Sequence, residues 1–383
     1  MLTFADTPWH VISNCMVFTL GLYIAVIQKR KFQLSTRYAV IIYIWHTIFS
    51  IVYYNYTITS GGDALEYYLR SLNTETVFRF GTAAIFYITS IFSDIFKMSY
   101  GGVFLVYNLF GYIGMIAFAS VLQHIVVEKS VIIRRVAFFV VLLPGLSFWS
   151  SAIGKDSISF MGAGLVCWAM LNINRRYPAM FAAILAFLLV RPHMAGILLG
   201  VLSVTMIMTW HANPIKKLVL TAVAIPISKA GIVFGLQYAG LGGASGISDV
   251  ADYFETRQGY NMSGGGSVDI AGMSVLMRLI TYLFRPLFFD ASGPLGLVSS
   301  FENLIILVLF LVFASRLFTE KSQLSAFSRS FFTLFVIVSL FVLANTIANL
   351  GIAMRQKWMF LPMLFVLMFS YIGNPMAKPG DEQ

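Results

Sequence analysis

The sequence predicts an all-α, polytopic integral membrane helical bundle, and three observations carry that expectation. Of 383 residues, 58% are hydrophobic and 11% charged, with mean hydropathy +0.82. A soluble domain carries about 25% charged residues, so this chain lacks the polar surface to wrap one aqueous core. Its apolar residues come in runs near the roughly 20 residues that cross a bilayer. Its basic residues fall in short clusters between those runs, the pattern of cytoplasmic loops.

These features exclude other classes. A net charge of +10 would point to nucleic acid in a soluble protein, but in this distribution no nucleic-acid partner is expected. Cys15 and Cys167 both lie in apolar runs and read as small core residues, not as a disulfide or metal pair. The start M-L-T-F-A-D-T-P-W-H has no basic stretch ahead of an apolar one, so the first span is expected to be retained.

Spans are expected near 11–28, 38–56, 101–123, 136–152, 157–173, 178–191, 194–211, 218–238, 301–318, 330–349 and 357–374. That makes about eleven in a single integral domain, 1–383, with outer loops 57–100 and 239–300. The stretch 79–97 is ambiguous, and sidedness resolves it. If it lies in the interface or re-enters, the clusters at 29–37, 128–135, 173–176, 216–217 and 316–329 share one side, which should be cytoplasmic. The N-terminus is then outside and the C-terminus inside. Twelve of the sixteen carboxylates fall on the outer side. Acidic residues hardly influence orientation, so their gathering there marks the face where chemistry or recognition occurs.

Five outer segments supply candidate site residues. In P-G-L-S-F-W-S-S-A-I-G-K-D (144–156), Lys155 and Asp156 open a span; the helix start, the glycine and the lysine together suit a phosphate, while a capped hairpin with a Lys–Asp pair is the plainer alternative. In G-G-D-A-L-E-Y-Y (61–68), Asp63 and Glu66 share a helix face and could accept a proton, and Tyr67 and Tyr68 offer stacking surfaces. In R-P-H (191–193), Arg191 and His193 sit in a proline corner, and an arginine at membrane depth is a functional candidate. Arg278 and the R-P-L-F-F-D segment with Arg285 flank the return into the membrane. Arg355 follows in N-L-G-I-A-M-R-Q-K (349–357). The glycine-rich stretches 240–246 and 263–267 suit a mobile loop and lack the G-K-[ST] of a phosphate-binding loop. Sidedness alone predicts that Lys155, Arg191, Arg285 and Arg355 converge from separate loops, with arginine forks suited to phosphate oxygens.

These motifs, with F-E-N (301–303), resemble those of polytopic proteins of bacterial surface-polysaccharide synthesis, similar to O-antigen polymerases of the Wzy type and more loosely to C-type glycosyltransferases. The resemblance implies a glycan donor on undecaprenyl diphosphate at the periplasmic face of the bacterial inner membrane. It implies a metal-independent glycosyltransferase without cofactor, whose partners are the lipid-linked glycan, membrane lipids and a chain-length regulator. Arg191, Arg285 and Arg355 become diphosphate or glycan contacts, and Asp63 the base. C-type enzymes often carry adjacent acidic residues where this chain has Asp63-Ala64-Leu65-Glu66. The alternatives are a transporter or flippase for a lipid-linked sugar and an envelope scaffold. Charges gathered on one face, with no internal repeat, favour the enzyme.

Overall fold

A computed structural model describes residues 2–73, 77–209, 273–291, 293–347 and 349–373, which fold almost entirely into helices. Seven are long and apolar enough to cross a bilayer: Pro8–Phe32, Tyr100–Val126, Val131–Ser150, Ile173–Val190, Pro192–Thr209, Gly293–Arg316 and Ala326–Thr346. The pair Leu350–Met359 and Leu361–Tyr371, bent by 62°, makes an eighth if it forms one broken span. The chain is therefore a multi-pass helical membrane protein.

Several expected spans take other forms. The region 218–238 lies outside the described residues. Residues 38–56 fall in a 25-residue helix whose Tyr, Thr and Asn content keeps it below that apolarity, and 157–173 in a helix of only 16 residues. The ambiguous stretch 79–97 is a short apolar helix, Thr82–Ser90, running into a π-helical turn, Ile91–Ile95. The span expected at 301 starts at Gly293, because G-P-L-G-L-V-S-S continues the apolar run and places Pro294 in the first turn, where its missing N–H does no harm.

The described residues divide into two compact units. The first comprises Met1–Ser120 and Val141–Ala195. It contains α1 (Pro8–Ile27), a single turn Lys29–Phe32, α2 (Thr36–Ser60), α3 (Asp63–Asn73), α4 (Thr82–Ser90) and most of α5 (Tyr100–Val126). It continues with α7 (Pro144–Ser150), α8 (Lys155–Met170) and α9 (Ile173–Val190). Small residues let these helices approach closely, as expected where lipid supplies no hydrophobic drive between helices. A Cβ on Gly164 of α8 would lie 2.1 Å from the Gly114 carbonyl oxygen of α5, and one on Gly111 would lie 2.0 Å from the Ser150 carbonyl oxygen. Buried polar pins add direction: the Ser150 hydroxyl donates to the Leu146 carbonyl (2.6 Å), so its oxygen is left to accept from His46 Nε2 (2.9 Å). Residues 2–4 are tied down as well. Asn14 Nδ2 and Ser99 Oγ donate to the Phe4 carbonyl, Tyr54 Oη donates to the Leu2 carbonyl, and the Phe4 ring fills the space above Gly101.

The first unit is polar in charge. α1 runs into the Lys29–Phe32 turn and α2 returns, while α8 ends beside the start of α9. The Phe32 and Trp168 rings meet at 4.9 Å, so these two junctions share one end. That end carries Lys29, Arg30, Lys31, Arg37, Arg175 and Arg176. The described carboxylates of this unit, Asp6, Asp63, Glu66, Asp94 and Asp156, all sit at the opposite end.

The second unit comprises Val121–Val140 and Gly196–Gln383. It holds most of α6 (Val131–Val141) and of α10 (Pro192–Thr209), with α11 (Val275–Phe284), α12 (Gly293–Arg316), α13 (Ala326–Thr346), α14 (Leu350–Gln356) and α15 (Leu361–Tyr371). Every residue of α15 from Leu361 to Ser370 is buried. Its last carbonyls are met from outside the helix: Lys129 Nζ donates to Phe369 O (2.5 Å) and Ile372 O (2.8 Å). A cation suits that negative helix end.

Candidate functional site

The G-K-D segment shapes the first site. Gly154 takes φ +153° and ψ −172°, a region open to glycine, and a Cβ there would touch the Tyr67 ring at 3.4 Å. The chain then enters α8 at Lys155, with Asp156 in the first turn, where the helix dipole favours a negative charge. Opposite stands Arg191. Pro192 cannot continue the helix before it and drives Arg191 out of helical conformation, to φ −143° and ψ 71°. The backbone is held on both sides: Arg191 N donates to Phe187 O (2.7 Å), and Arg191 O accepts from Met194 N (2.9 Å). The side chain reaches Asp156, Nη2 to Oδ1 at 2.7 Å, with only 9% and 12% of the two side chains exposed. Arg191 Nε is buried and has no partner among the described residues. A buried guanidinium with an unmatched donor is ready for a further acceptor.

The Gly154 turn meets α3 through Tyr67. Ala64, Tyr67, Tyr68 and Ser71 are buried along one face, and Asp63, Glu66 and Arg70 are exposed on the other. This two-faced pattern is that of a surface helix whose apolar stripe packs on the protein. Tyr67, expected as a stacking surface, is buried instead: its ring packs edge-on against Phe86 at 5.4 Å and floors the turn at Gly154. The reason is its helical position, three after Ala64 and four before Ser71. Glu66 pairs with Arg70 at 2.7 Å on the exposed side. The junction before α4 is joined to the same corner, since Gly81 N donates to Leu189 O (2.7 Å). His193 stands in the first turn of α10, half-buried.

The second unit holds the other expected cations. Arg285 is already engaged: Nε donates to Asp290 Oδ2 (2.8 Å) and Nη2 to Oδ1 (2.5 Å), while Leu287 N also donates to Oδ2 (3.2 Å). The R-P-L-F-F-D segment is thus a closed two-pronged clasp. The Arg285 bonds hold the Asp290 carboxyl below the usual carboxylate range, and the same bonds raise Arg285. Arg278 fixes α11 to α13, with Nη1 donating to Asn345 Oδ1 at 3.2 Å and Nε to Met273 O at 3.1 Å. Arg355 lies in α14, half-buried. Of the four cations expected to converge, Lys155 and Arg191 belong to the first unit and Arg285 and Arg355 to the second, which also holds Arg278.

One cluster was not anticipated as a site. Glu302, Asn303 and Lys357 are all buried. Lys357 Nζ donates to Asn303 Oδ1, and Asn303 Nδ2 donates to Pro286 O at 2.8 Å. A lysine can only donate, so it fixes which end of the Asn303 amide faces the Arg–Pro corner. Glu302 acts on Lys357 through its charge. The signal was present in the sequence: a carboxylate followed by an amide inside an apolar run, rare enough at membrane depth to be read as functional.

No group of three or more His, Cys, Asp or Glu among the described residues could hold a metal ion. Comparisons with protein-family models, curated proteins and solved structures returned no match.

Proposed function

We propose that the protein is a membrane glycosyltransferase of the polysaccharide-polymerase type, acting on a glycan carried by undecaprenyl diphosphate at the periplasmic face of a bacterial inner membrane. The observation that carries this reading is the buried Arg191–Asp156 pair, with its unmatched Arg191 Nε, next to a turn at Gly154 that meets Tyr67 of the helix carrying Asp63 and Glu66. This end of the first unit lies opposite its all-basic end, which the positive-inside rule assigns to the cytoplasm. The N-terminus is then outside.

In this reading Asp63 accepts the proton of an acceptor hydroxyl, whose oxygen bonds to the anomeric carbon of the donor. The bond from that carbon to the diphosphate oxygen breaks, and its electron pair leaves with the diphosphate. Lys155 and the free donors of Arg191 meet that charge. His193, in the same unit, contacts the glycan, and Tyr67 supports the Gly154 turn. The test is a gel of surface polysaccharide from deletion cells complemented with variants. Asp63→Asn and Arg191→Lys should be membrane-inserted at normal levels and yield single repeat units. Normal ladders from both would refute the site.

A second reading, a carrier for a lipid-linked sugar or related anion, is favoured by one observation. Glu302 and Lys357 are buried charged residues inside the bundle, and Lys357 stands beside a 62° break between helices. Carriers place ionisable groups on such broken helices. A carrier defect leaves lipid-linked repeat units in the inner leaflet, whereas a polymerase defect leaves them in the outer leaflet. Leaflet-selective labelling of Lys357→Met cells separates the two.

A further inference from the structure

We propose that the all-basic end of the first unit holds a seat for the phosphodiester of an anionic glycerophospholipid, between Arg176 on one side and Lys29–Lys31 on the other. Three observations carry it. First, six cations stand at this end with no carboxylate of the unit beside them among the described residues, while the opposite end mixes both signs. Such an excess of one sign attracts an anion from outside the unit.

Second, the Arg176 guanidinium and the backbone turn that carries Lys29–Lys31 are held in place. Arg176 leaves helical geometry inside α9, at φ −115° and ψ 18°, two residues before Pro178. Its guanidinium lies over the Trp168 ring at 4.2 Å, with Nη1 donating to Trp168 O at 2.8 Å. Stacked and tied at one nitrogen, the planar fork keeps its remaining donors for a phosphate oxygen. The Lys29–Phe32 turn ends at Gln33 with φ +58°. Gln28 Nε2 closes this turn on Leu34 O (3.0 Å), and Ser120 Oγ donates to Phe32 O (2.5 Å).

Third, one aromatic contact joins the two basic segments. Phe32 packs against the same Trp168 ring that Arg176 covers. An indole with an arginine beside it marks headgroup depth, and the neighbouring Tyr177 and Phe181 are exposed, as acyl-chain contacts would be. A lipid supplies phosphate and chains together. A soluble phosphate supplies only the first.

The test uses the purified full chain in neutral detergent, with lipid retention read by native mass spectrometry. Phosphatidylglycerol and cardiolipin should be retained, and phosphatidylcholine lost. Each surface cation near an anionic lipid is worth about fivefold. Arg175→Gln with Arg176→Gln should therefore lower retention about 25-fold, and Lys29→Gln, Arg30→Gln and Lys31→Gln together by more than 100-fold, roughly, on the same scale. The second variant leaves the Arg176–Trp168 contact intact, which guards against misfolding of the first. Arg70→Gln with Lys97→Gln, at the opposite end, should change nothing. Equal retention of phosphatidylcholine, unchanged retention in both basic-end variants, or displacement of the lipid by millimolar inorganic phosphate would each overturn the proposal.

Discussion

Removing one partner of the Arg191–Asp156 pair should harm the fold far more than removing both. Breaking a buried ion pair typically costs about 3–5 kcal/mol, because the remaining charge stays desolvated, whereas apolar replacement of both partners is often neutral or stabilising. About a tenth of each side chain reaches solvent, so the lower end of that range applies. Arg191→Met should destabilise the protein by about 3 kcal/mol, because the buried Asp156 carboxylate loses its cation. Asp156→Leu should cost a similar amount, since the Arg191 cation would then be buried with two unmatched nitrogens. The double variant should return to within about 1 kcal/mol of the parent, a coupling well above the 0.5 kcal/mol of independent sites. The assay is reversible unfolding in mixed micelles, followed by tryptophan fluorescence, for all four proteins. Additive single-variant losses would refute the reasoning. The double variant also serves function: if it is stable yet makes no long glycan, Arg191 or Asp156 acts on substrate beyond holding the corner.

Further outcomes follow from other contacts. Asp290 is held below its ordinary value by Arg285, so the clasp stabilises fully above about pH 4 and that stabilisation is lost as pH falls through the folded value. Acid unfolding curves should show this loss in the parent, and Asp290→Asn should flatten it. Burial pulls Lys129 down to about 8, so between that value and the free-lysine value near 10.4 the unfolded chain binds more protons. Stability should therefore rise from pH 8 to 10, and Lys129→Met should abolish the rise. At neutral pH that variant should lose about 1–3 kcal/mol by stranding the Phe369 and Ile372 carbonyls, measured by denaturant unfolding. Gly164→Ala should force α8 away from Gly114 and cost about 1–3 kcal/mol, read as a lower thermal midpoint.

What the sequence displayed was periodicity and punctuation. Apolar runs, prolines and basic clusters marked most of the described helices, but 38–56 and 157–173 were counted as ordinary spans, because the polar content of the first and the short helix of the second weigh little against their apolar runs. The weakness of 79–97 as a span was legible, since a stretch containing Asp94 and Lys97 leaves only the short apolar helix Thr82–Ile95. Partner choice was not legible. Asp156 and Arg191 lie 35 residues apart, and nothing local says that one neutralises the other. Arg285 and Asp290 are five apart, close enough to be noticed, but a clasp and an anion site call for the same residue types. Burial of Tyr67 follows from the face of α3, which a helical wheel displays once the helix is accepted. Lys357 escaped because it follows Arg355 in a segment read as a loop, whereas in the folded chain a helical turn carries it inward to Asn303.

The tethering of residues 2–4 bears on how this protein can be handled. A fusion partner at the amino end would pull on the segment whose Phe4 ring packs against Tyr54 and Gly101. Purification handles and fluorescent reporters belong elsewhere on the chain, and a loss of activity on amino-terminal labelling would say more about that displaced wedge than about catalysis.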